Sequence, residues 1–192
     1  MAYITDNLLA AGKCVPFVVV MNNGLLKKEH EKHLVDSFEG LEDIITEECR
    51  KLIERRYRVR RDKWGRAIAG LSLGSMTASY IGFRHPELYS AIGIISGFLR
   101  RRDHYNTYEQ CPYLFTLHDA QKTETEYRLI FRSEGEADRH MHEFIEDDAF
   151  CAVGGVDKLP LYVRKTYPNQ THEWGAFRRA YIDFAQYVFQ WT

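Results

Sequence analysis

The chain has 192 residues, which is enough for one domain with a sizeable hydrophobic core. Apolar residues make up 45% of the sequence and charged residues 28%, as in ordinary globular proteins. The net charge of −1 argues against nucleic acid or an anionic membrane surface as a partner.

The cysteines and the N-terminus indicate a reducing compartment. The four cysteines show no C-x-x-C spacing, which favours free thiols over a zinc site. The N-terminus lacks the basic region of a signal peptide, and no apolar run is long enough to span a bilayer. We therefore expect a cytoplasmic protein.

The apolar pattern predicts strands that alternate with helices. Val15–Met21 is a continuous apolar run rich in β-branched residues, which is typical of a buried parallel strand before a loop. Four more strands are predicted at residues 66–71, 89–96, 127–132 and 159–167. Helices are predicted at residues 40–57, 75–83, 137–150 and 174–189. The polar, aperiodic stretch 97–125 is expected to form an excursion over the surface.

This alternation predicts an α/β fold in a single domain spanning residues 1–192. About five strands would form a mainly parallel sheet with helices on both faces. The sequence shows no internal repeat and no low-complexity linker.

One five-residue motif indicates nucleophilic catalysis. Gly70-Leu-Ser-Leu-Gly74 fits the Gly-x-Ser-x-Gly pattern of a nucleophile elbow, and it lies between an apolar strand and a helix of small residues. We predict that Ser72 is the nucleophile and that the amide of Leu73 faces the developing oxyanion. The strained turn is expected to need small residues at both Gly70 and Gly74. The alternative is a glycine-rich turn with an idle serine.

A serine nucleophile needs a base, and the base needs an orienting carboxylate. In this kind of fold the order along the chain is serine, acid, histidine. Asp138 follows the penultimate predicted strand and His172 follows the last one. The alternatives are a helix-capping aspartate and a surface histidine, and Glu134 and Glu136 are the nearest substitutes for the acid.

Other histidines give no comparable pattern. His30 and His33 could share a helix face, as could His140 and Glu143, but neither pair has a third ligand in view. We predict no metal site.

Several segments resemble a known family. They are Ile68-Ala-Gly-Leu-Ser-Leu-Gly74, Gly82-Phe-Arg-His-Pro-Glu-Leu88 and Gly93-Ile-Ile-Ser-Gly97. They resemble the putative esterase family of α/β-hydrolases, the group related to esterase D, feruloyl esterases and acetyl-xylan esterases. The resemblance covers nearly the whole chain. It implies hydrolysis of carboxylic esters, often acetyl or hydroxycinnamoyl esters of plant polysaccharides, without a cofactor.

The same resemblance implies roles for individual residues. Gly135-Glu-Ala-Asp138 resembles the family segment in which the aspartate is the catalytic acid. His172-Glu-Trp174 resembles the segment in which the histidine is the base. Asn22 stands where the family usually has proline.

The resemblance also implies a truncated α/β-hydrolase fold. Family members carry a further N-terminal segment, which supplies the first strands and a His-Gly-Gly-type loop with the second oxyanion donor. We expect the Val15–Met21 strand to fill the vacant place beside the elbow strand, so that Asn23 or Gly24 donates the missing amide. We also expect a second copy of the chain to cover the open edge, as a homo-oligomer. The remaining alternative is an inactive fragment.

The predicted function is hydrolysis of small-molecule or carbohydrate esters by Ser72, His172 and Asp138. Trp174 and Asn22 are expected to contact the substrate. Two alternatives stay open, namely a weak or inactive binding or assembly module and an acyltransferase or thioesterase on the same scaffold.

Overall fold

The computed structural model describes residues 1–22, 40–97, 99, 126–158 and 161–191. Its helices are α1 (Ala2–Ala10), α2 (Arg50–Arg56), α3 (Leu73–Arg84), α4 (Met141–Gly154) and α5 (Trp174–Tyr187). A π-helical stretch, Ile44–Cys49, leads into α2, and short 3-10 turns lie at Lys63–Gly65 and Val156–Lys158. Among the described helices, none combines the length and the apolar character needed to cross a membrane.

Four strands form one parallel sheet in the order β1-β2-β3-β4. They are β1 (Ala67–Leu71), β2 (Ala91–Ile95), β3 (Leu129–Gly135) and β4 (Tyr162–Tyr167). The prediction of a mainly parallel sheet flanked by helices is therefore confirmed. The carboxyl ends of parallel strands meet at one edge, so residues that follow β1, β3 and β4 lie close together.

Helices cover both faces of the sheet. On one face, Phe83 of α3 and Cys151 of α4 pack with Ile92, Ile94 and Ile130. On the other face, α5 packs against the alternate strand residues, among them Ala91, Ile95, Leu129 and Phe131. Helix α1 contacts the outer side of α5 through Leu8 and Ala185. Strands β2 and β3 are buried along their whole length, whereas β1 and β4 are only partly buried. Burial on both faces explains the continuous apolar sequence of β2 and of the first half of β3.

The predicted strand Val15–Met21 is wrong. Residues 15–22 form no strand, and Val18, Val20 and Met21 are 49%, 51% and 71% exposed. The β-branched pattern favours extended backbone, but a strand also needs a neighbour to pair with, and sequence pattern does not encode that neighbour. The aromatic ring of Phe17 instead packs against Phe189, with ring centroids 6.0 Å apart, on the α5 face of the sheet.

The place beside β1 is consequently open among the described residues. Strand β1 pairs with β2 on one side, and the described part of the chain supplies no partner on the other. The expected slide of Val15–Met21 into this place is wrong for the same reason. Asn23, Gly24 and most of the predicted excursion at 97–125 lie outside the described residues.

Strand β3 is longer than its sequence predicts. The prediction ends at Arg132, because three polar or small residues follow, whereas the strand runs to Gly135. Arg132, Ser133 and Glu134 are all fully buried. Strand β2 pairs with β3 as far as Ser133, and β4 pairs with it as far as Gly135, so β4 carries the end of the extension.

Candidate active site

Ser72 lies at the sharp turn between β1 and α3. Its φ of 53° and ψ of −123° fall in a region that residues other than glycine rarely adopt. The Ser72 amide donates to the carbonyl of Ile95 at 2.9 Å, which extends the β1–β2 ladder up to the turn. The Ser75 hydroxyl donates to the carbonyl of Ser72 at 2.6 Å. These bonds hold a backbone conformation that costs about 1–3 kcal/mol.

The turn requires glycine at only one of the two predicted positions. A Cβ at Gly70 would overlap the carbonyl oxygen of Gly74, so position 70 tolerates no side chain in this conformation. A Cβ at Gly74 would meet no atom of the described residues within 4 Å. The expectation that both positions must be small is corrected to a requirement at Gly70, where two backbone segments approach each other.

The acid loop follows β3 and begins α4. The Asp138 amide donates to the carbonyl of Gly135 at 3.0 Å, and Asp138 Oδ1 accepts the amide of His140 at 3.0 Å. Burial tends to raise the pKa of Asp138, but the His140 amide, the Glu134 side chain and His172 together lower it below its ordinary value. Asp138 is therefore held as a carboxylate at neutral pH.

The loop that follows β4 is joined to the acid loop by backbone contacts. The Ala137 amide donates to the carbonyl of Gln170 at 2.9 Å, and the Glu136 amide donates to that of Tyr167 at 3.0 Å. A Cβ at Gly135 would overlap the carbonyl oxygen of Gln170, so glycine is needed for this approach. The joined loops fix the separation between Asp138 and His172.

The structure brings Ser72, His172 and Asp138 into one hydrogen-bonded chain. His172 Nδ1 lies 2.7 Å from Asp138 Oδ2, and His172 Nε2 lies 2.8 Å from Ser72 Oγ. With Asp138 ionised, Nδ1 carries the proton that is donated to it, so Nε2 is left to accept the serine hydroxyl. This arrangement gives the serine oxygen a proton acceptor and gives the imidazole an orienting carboxylate.

The two substitute acids occupy different places. Glu136 is exposed and accepts the Thr166 hydroxyl at 2.9 Å. Glu134 is fully buried, and one of its carboxyl oxygens lies within 4.8 Å of a carboxyl oxygen of Asp138 and of a ring nitrogen of His172. Among the described residues, Glu134, Asp138 and His172 are the cluster that could hold a metal ion. The direct hydrogen bond between Asp138 and His172 fits a triad, because that bond occupies the atoms that a metal would need.

Aromatic side chains surround the imidazole. Phe177 meets the His172 ring edge to face at 5.2 Å, and Trp174 meets Phe177 at 5.7 Å. Trp174 is 65% exposed at the start of α5. His140 meets His172 at 5.7 Å on another side. The sequence pattern indicates no role for His140, whereas Phe177 lies three residues after Trp174 on α5, a spacing that places both on one helix face.

The other predicted site residues are placed only in part. Leu73 is the first residue of α3, where the amide has no acceptor within the helix and is free to face a ligand. Asn22 is exposed, at the end of a described range. Asn23 and Gly24, the predicted second oxyanion donors, lie outside the described residues, as do His30 and His33.

Comparison with known proteins places this geometry in a family. The chain is 38% identical over 96 residues to an endo-1,4-beta-xylanase/feruloyl esterase of Xylanibacter ruminicola, a match that covers 49% of this chain and 13% of that protein. The match thus spans about an eighth of the length of this curated relative.

Solved structures share the fold at low sequence identity. A ferulic acid esterase superposes with a TM-score of 0.71 at 20% identity, covering 98% of this chain and 76% of that one. The CE1 ferulic acid esterase of Anaeromyces mucronatus gives a TM-score of 0.66 at 14% identity, covering 95% and 68%. The family model described as Putative esterase matches residues 15–183, and the chain belongs to that family of α/β-hydrolase fold.

Proposed function

We propose that this chain hydrolyses carboxylic esters through an acyl-enzyme formed on Ser72. The observation that carries the proposal is the pair of hydrogen bonds on His172, 2.8 Å to Ser72 Oγ and 2.7 Å to Asp138 Oδ2. The backbone of Ser72 also supports the proposal, because its positive φ is strained and strained residues cluster at active sites.

In the first half-reaction, Ser72 Oγ attacks the ester carbonyl carbon while His172 Nε2 takes the hydroxyl proton. The C–O bond to the alcohol then breaks, and the same proton passes from His172 to the leaving alkoxide. In the second half-reaction, His172 takes a proton from water while the water oxygen attacks the acyl carbon. The C–O bond to Ser72 Oγ then breaks, the acid leaves, and His172 returns the proton to Ser72 Oγ. Asp138 keeps the imidazole oriented and stabilises its charged form throughout.

The oxyanion of each tetrahedral intermediate needs hydrogen-bond donors. The Leu73 amide is the first donor in this proposal, because it starts α3 directly after the nucleophile. Asn23 or Gly24 stays the predicted second donor, although the strand expected to carry them beside β1 is not formed. One missing donor typically costs about 10²–10³-fold in turnover, so a weak second donor would make the enzyme slow without abolishing the reaction.

The acyl group is proposed to be a hydroxycinnamoyl group, with acetyl esters as simpler substrates. The curated relative and the solved neighbours are named as feruloyl or ferulic acid esterases. Exposed Trp174 and its neighbour Phe177 offer an aromatic wall next to the base, against which a planar aromatic acid can pack. A plant polysaccharide as the alcohol part follows from the name of the curated relative alone.

Two further predictions stay proposals. A homo-oligomer is suggested by the outer edge of β1, which has no partner among the described residues. Light scattering coupled to gel filtration tests the homo-oligomer, since a monomeric mass would contradict it.

The cytoplasmic location predicted from the sequence is tested by fractionation of the source cells.

Hydrolysis of methyl ferulate and p-nitrophenyl acetate tests the proposed function. The wild type should turn over both esters, and the Ser72→Ala variant should lose roughly 10⁴-fold or more in kcat. Adding an acceptor alcohol or a thioester separates hydrolysis from the alternative acyl transfers. A folded wild type with no more activity than Ser72→Ala would favour a binding or assembly module.

A further inference from the structure

Glu134 is a buried carboxyl group that the acyl-transfer steps do not use. Its side chain is fully buried near the end of β3. Its Oε1 accepts the amide of Gly135 at 3.2 Å, while Oε2 has no hydrogen-bond partner within 3.5 Å among the described residues. A buried carboxyl oxygen without a partner is unfavourable, above all when the group is charged, so its retention calls for a physical reason.

The carboxyl groups of Glu134 and Asp138 are close neighbours. A Glu134 oxygen lies within 4.8 Å of the oxygen of Asp138 and of the ring nitrogen of His172. Asp138 already accepts His172 through Oδ2 and the His140 amide through Oδ1. Glu134 is therefore the third group that surrounds the Asp138 carboxylate.

Two carboxylates at this separation cannot both be charged without a large penalty. Burial, followed by the hydrogen bond and charge of Asp138, raises the pKa of Glu134 to about 8, whereas contacts with Gly135 and Ser96 lower it only in part. Arg132, two residues earlier on β3, donates instead to Asp148 and Tyr162. At neutral pH the shared environment thus leaves the proton on Glu134 and the charge on Asp138.

We propose that Glu134 is a positioning residue for Asp138, to which it donates a hydrogen bond as a neutral carboxylic acid. The proposal rests on the function proposed above and assigns Glu134 no contact with the substrate. A carboxyl oxygen of Glu134 lies within 4.8 Å of the Asp138 oxygen. We expect this contact to tighten when His172 takes the serine proton, as catalytic hydrogen bonds often do on substrate binding. No proton leaves Glu134 during the reaction.

Two variants separate this role from simple packing. Glu134→Gln keeps the length of the side chain and a neutral N–H donor, whereas Glu134→Met keeps the approximate volume without a donor. The Met variant should lose about 10- to 100-fold in kcat with KM unchanged, the value of one hydrogen bond to a charged group. The Gln variant should retain the kcat of the wild type within about threefold.

Two spectroscopic readouts make the test independent of turnover. Infrared spectra at neutral pH should show a protonated carboxylic acid band in the wild type that Glu134→Gln removes. The low-field Nδ1–H proton resonance of His172 should be retained in the Gln variant and displaced in the Met variant. The Gln variant and the wild type are sufficient for the infrared comparison if the Met variant fails to fold.

The outcomes distinguish the two proposals. If the wild type shows no activity beyond Ser72→Ala, the proposed function fails, and the spectra still decide the role of Glu134. If the wild type is active, equal kcat values for the Met variant and the wild type overturn the positioning role. An equal loss in the Gln and Met variants, or a missing carboxylic acid band in the wild type, overturns it as well.

Discussion

The backbone of Gly74 occupies the place where a side chain at Gly70 would stand, while Gly74 itself faces open space among the described residues. The two glycines of the elbow are therefore not equivalent. Gly70 allows the chain to turn sharply around Ser72, and Gly74 belongs to the first turn of α3.

Alanine at each glycine should give opposite results. Gly70→Ala forces two backbone segments apart, so the free energy of unfolding should fall by about 2–4 kcal/mol and esterase activity should be lost. Gly74→Ala should leave stability unchanged or raise it by about 0.5–1 kcal/mol, because alanine favours a helix. Urea denaturation and ester turnover of both variants check this. Equal damage from both substitutions would contradict the geometry of the turn.

The acid of the triad is tested by a pair of substitutions in one loop. Asp138→Asn should lower kcat by about 10³–10⁴-fold with little change in KM. The carboxamide would no longer keep the proton on His172 Nδ1, and it would not stabilise the charged imidazolium. Glu136→Gln is the matched control. Its carboxyl bonds to Thr166, so activity should stay at the wild-type level. The assignment is wrong if the Glu136 variant shows the larger loss.

The raised pKa of Glu134 predicts how stability changes with pH. The folded state holds this proton up to a pKa of about 8, whereas the unfolded chain releases it near the ordinary value of 4.5. Between these values the folded state binds more protons, so the free energy of unfolding falls as the pH rises from about 4.5 to 8. Below this window both states are protonated, and this contribution is constant.

Glu134→Gln removes that dependence. The variant should match the wild type at pH 4.5 and exceed it by up to about 5 kcal/mol at pH 8 or above. Urea unfolding of both proteins at pH 4.5, 6, 7 and 8 checks this prediction. A difference that stays constant over the range would mean that Glu134 ionises at its ordinary pKa.

Trp174 is predicted to contact the aromatic part of the substrate. Trp174→Ala should raise the KM for methyl ferulate by about 3- to 10-fold, the value of one aromatic contact, and leave p-nitrophenyl acetate nearly unaffected. Val153→Ala serves as the control. Val153 is 76% exposed near the far end of α4, so neither substrate should respond to its removal. A uniform effect of Trp174→Ala on both esters would indicate a structural role instead.

The sequence predicted those features that depend on local chemistry. The strand-serine-helix context identified the elbow at Ser72, and chain order identified Asp138 and His172, which the structure brings within hydrogen-bond distance. The four described strands fall within three residues of their predicted bounds. The signal is clearest for β2, where every residue is buried and the apolar run is continuous.

The features that were missed depend on neighbours distant in sequence. Val15–Met21 has the composition of a strand, but a strand needs a neighbouring strand to pair with. Phe17 packs on the α5 face instead, and Val18–Met21 are exposed. The polar end of β3 gave no strand signal, because its place in the sheet depends on pairing with β4 and, as far as Ser133, with β2. The burial of Glu134 beside Asp138 follows from the same extension, so its raised pKa could not be predicted from residue order.

Covalent labelling with a fluorophosphonate tests most directly the claim that His172 activates Ser72. Intact-mass measurement of the wild type should show one adduct, and peptide mapping should place it on Ser72. Ser72→Ala should show none, and His172→Ala should react at least about 100-fold more slowly, because general-base assistance contributes about 10²–10⁴-fold. A folded wild type that forms no adduct, or forms it equally fast without His172, would contradict the claim.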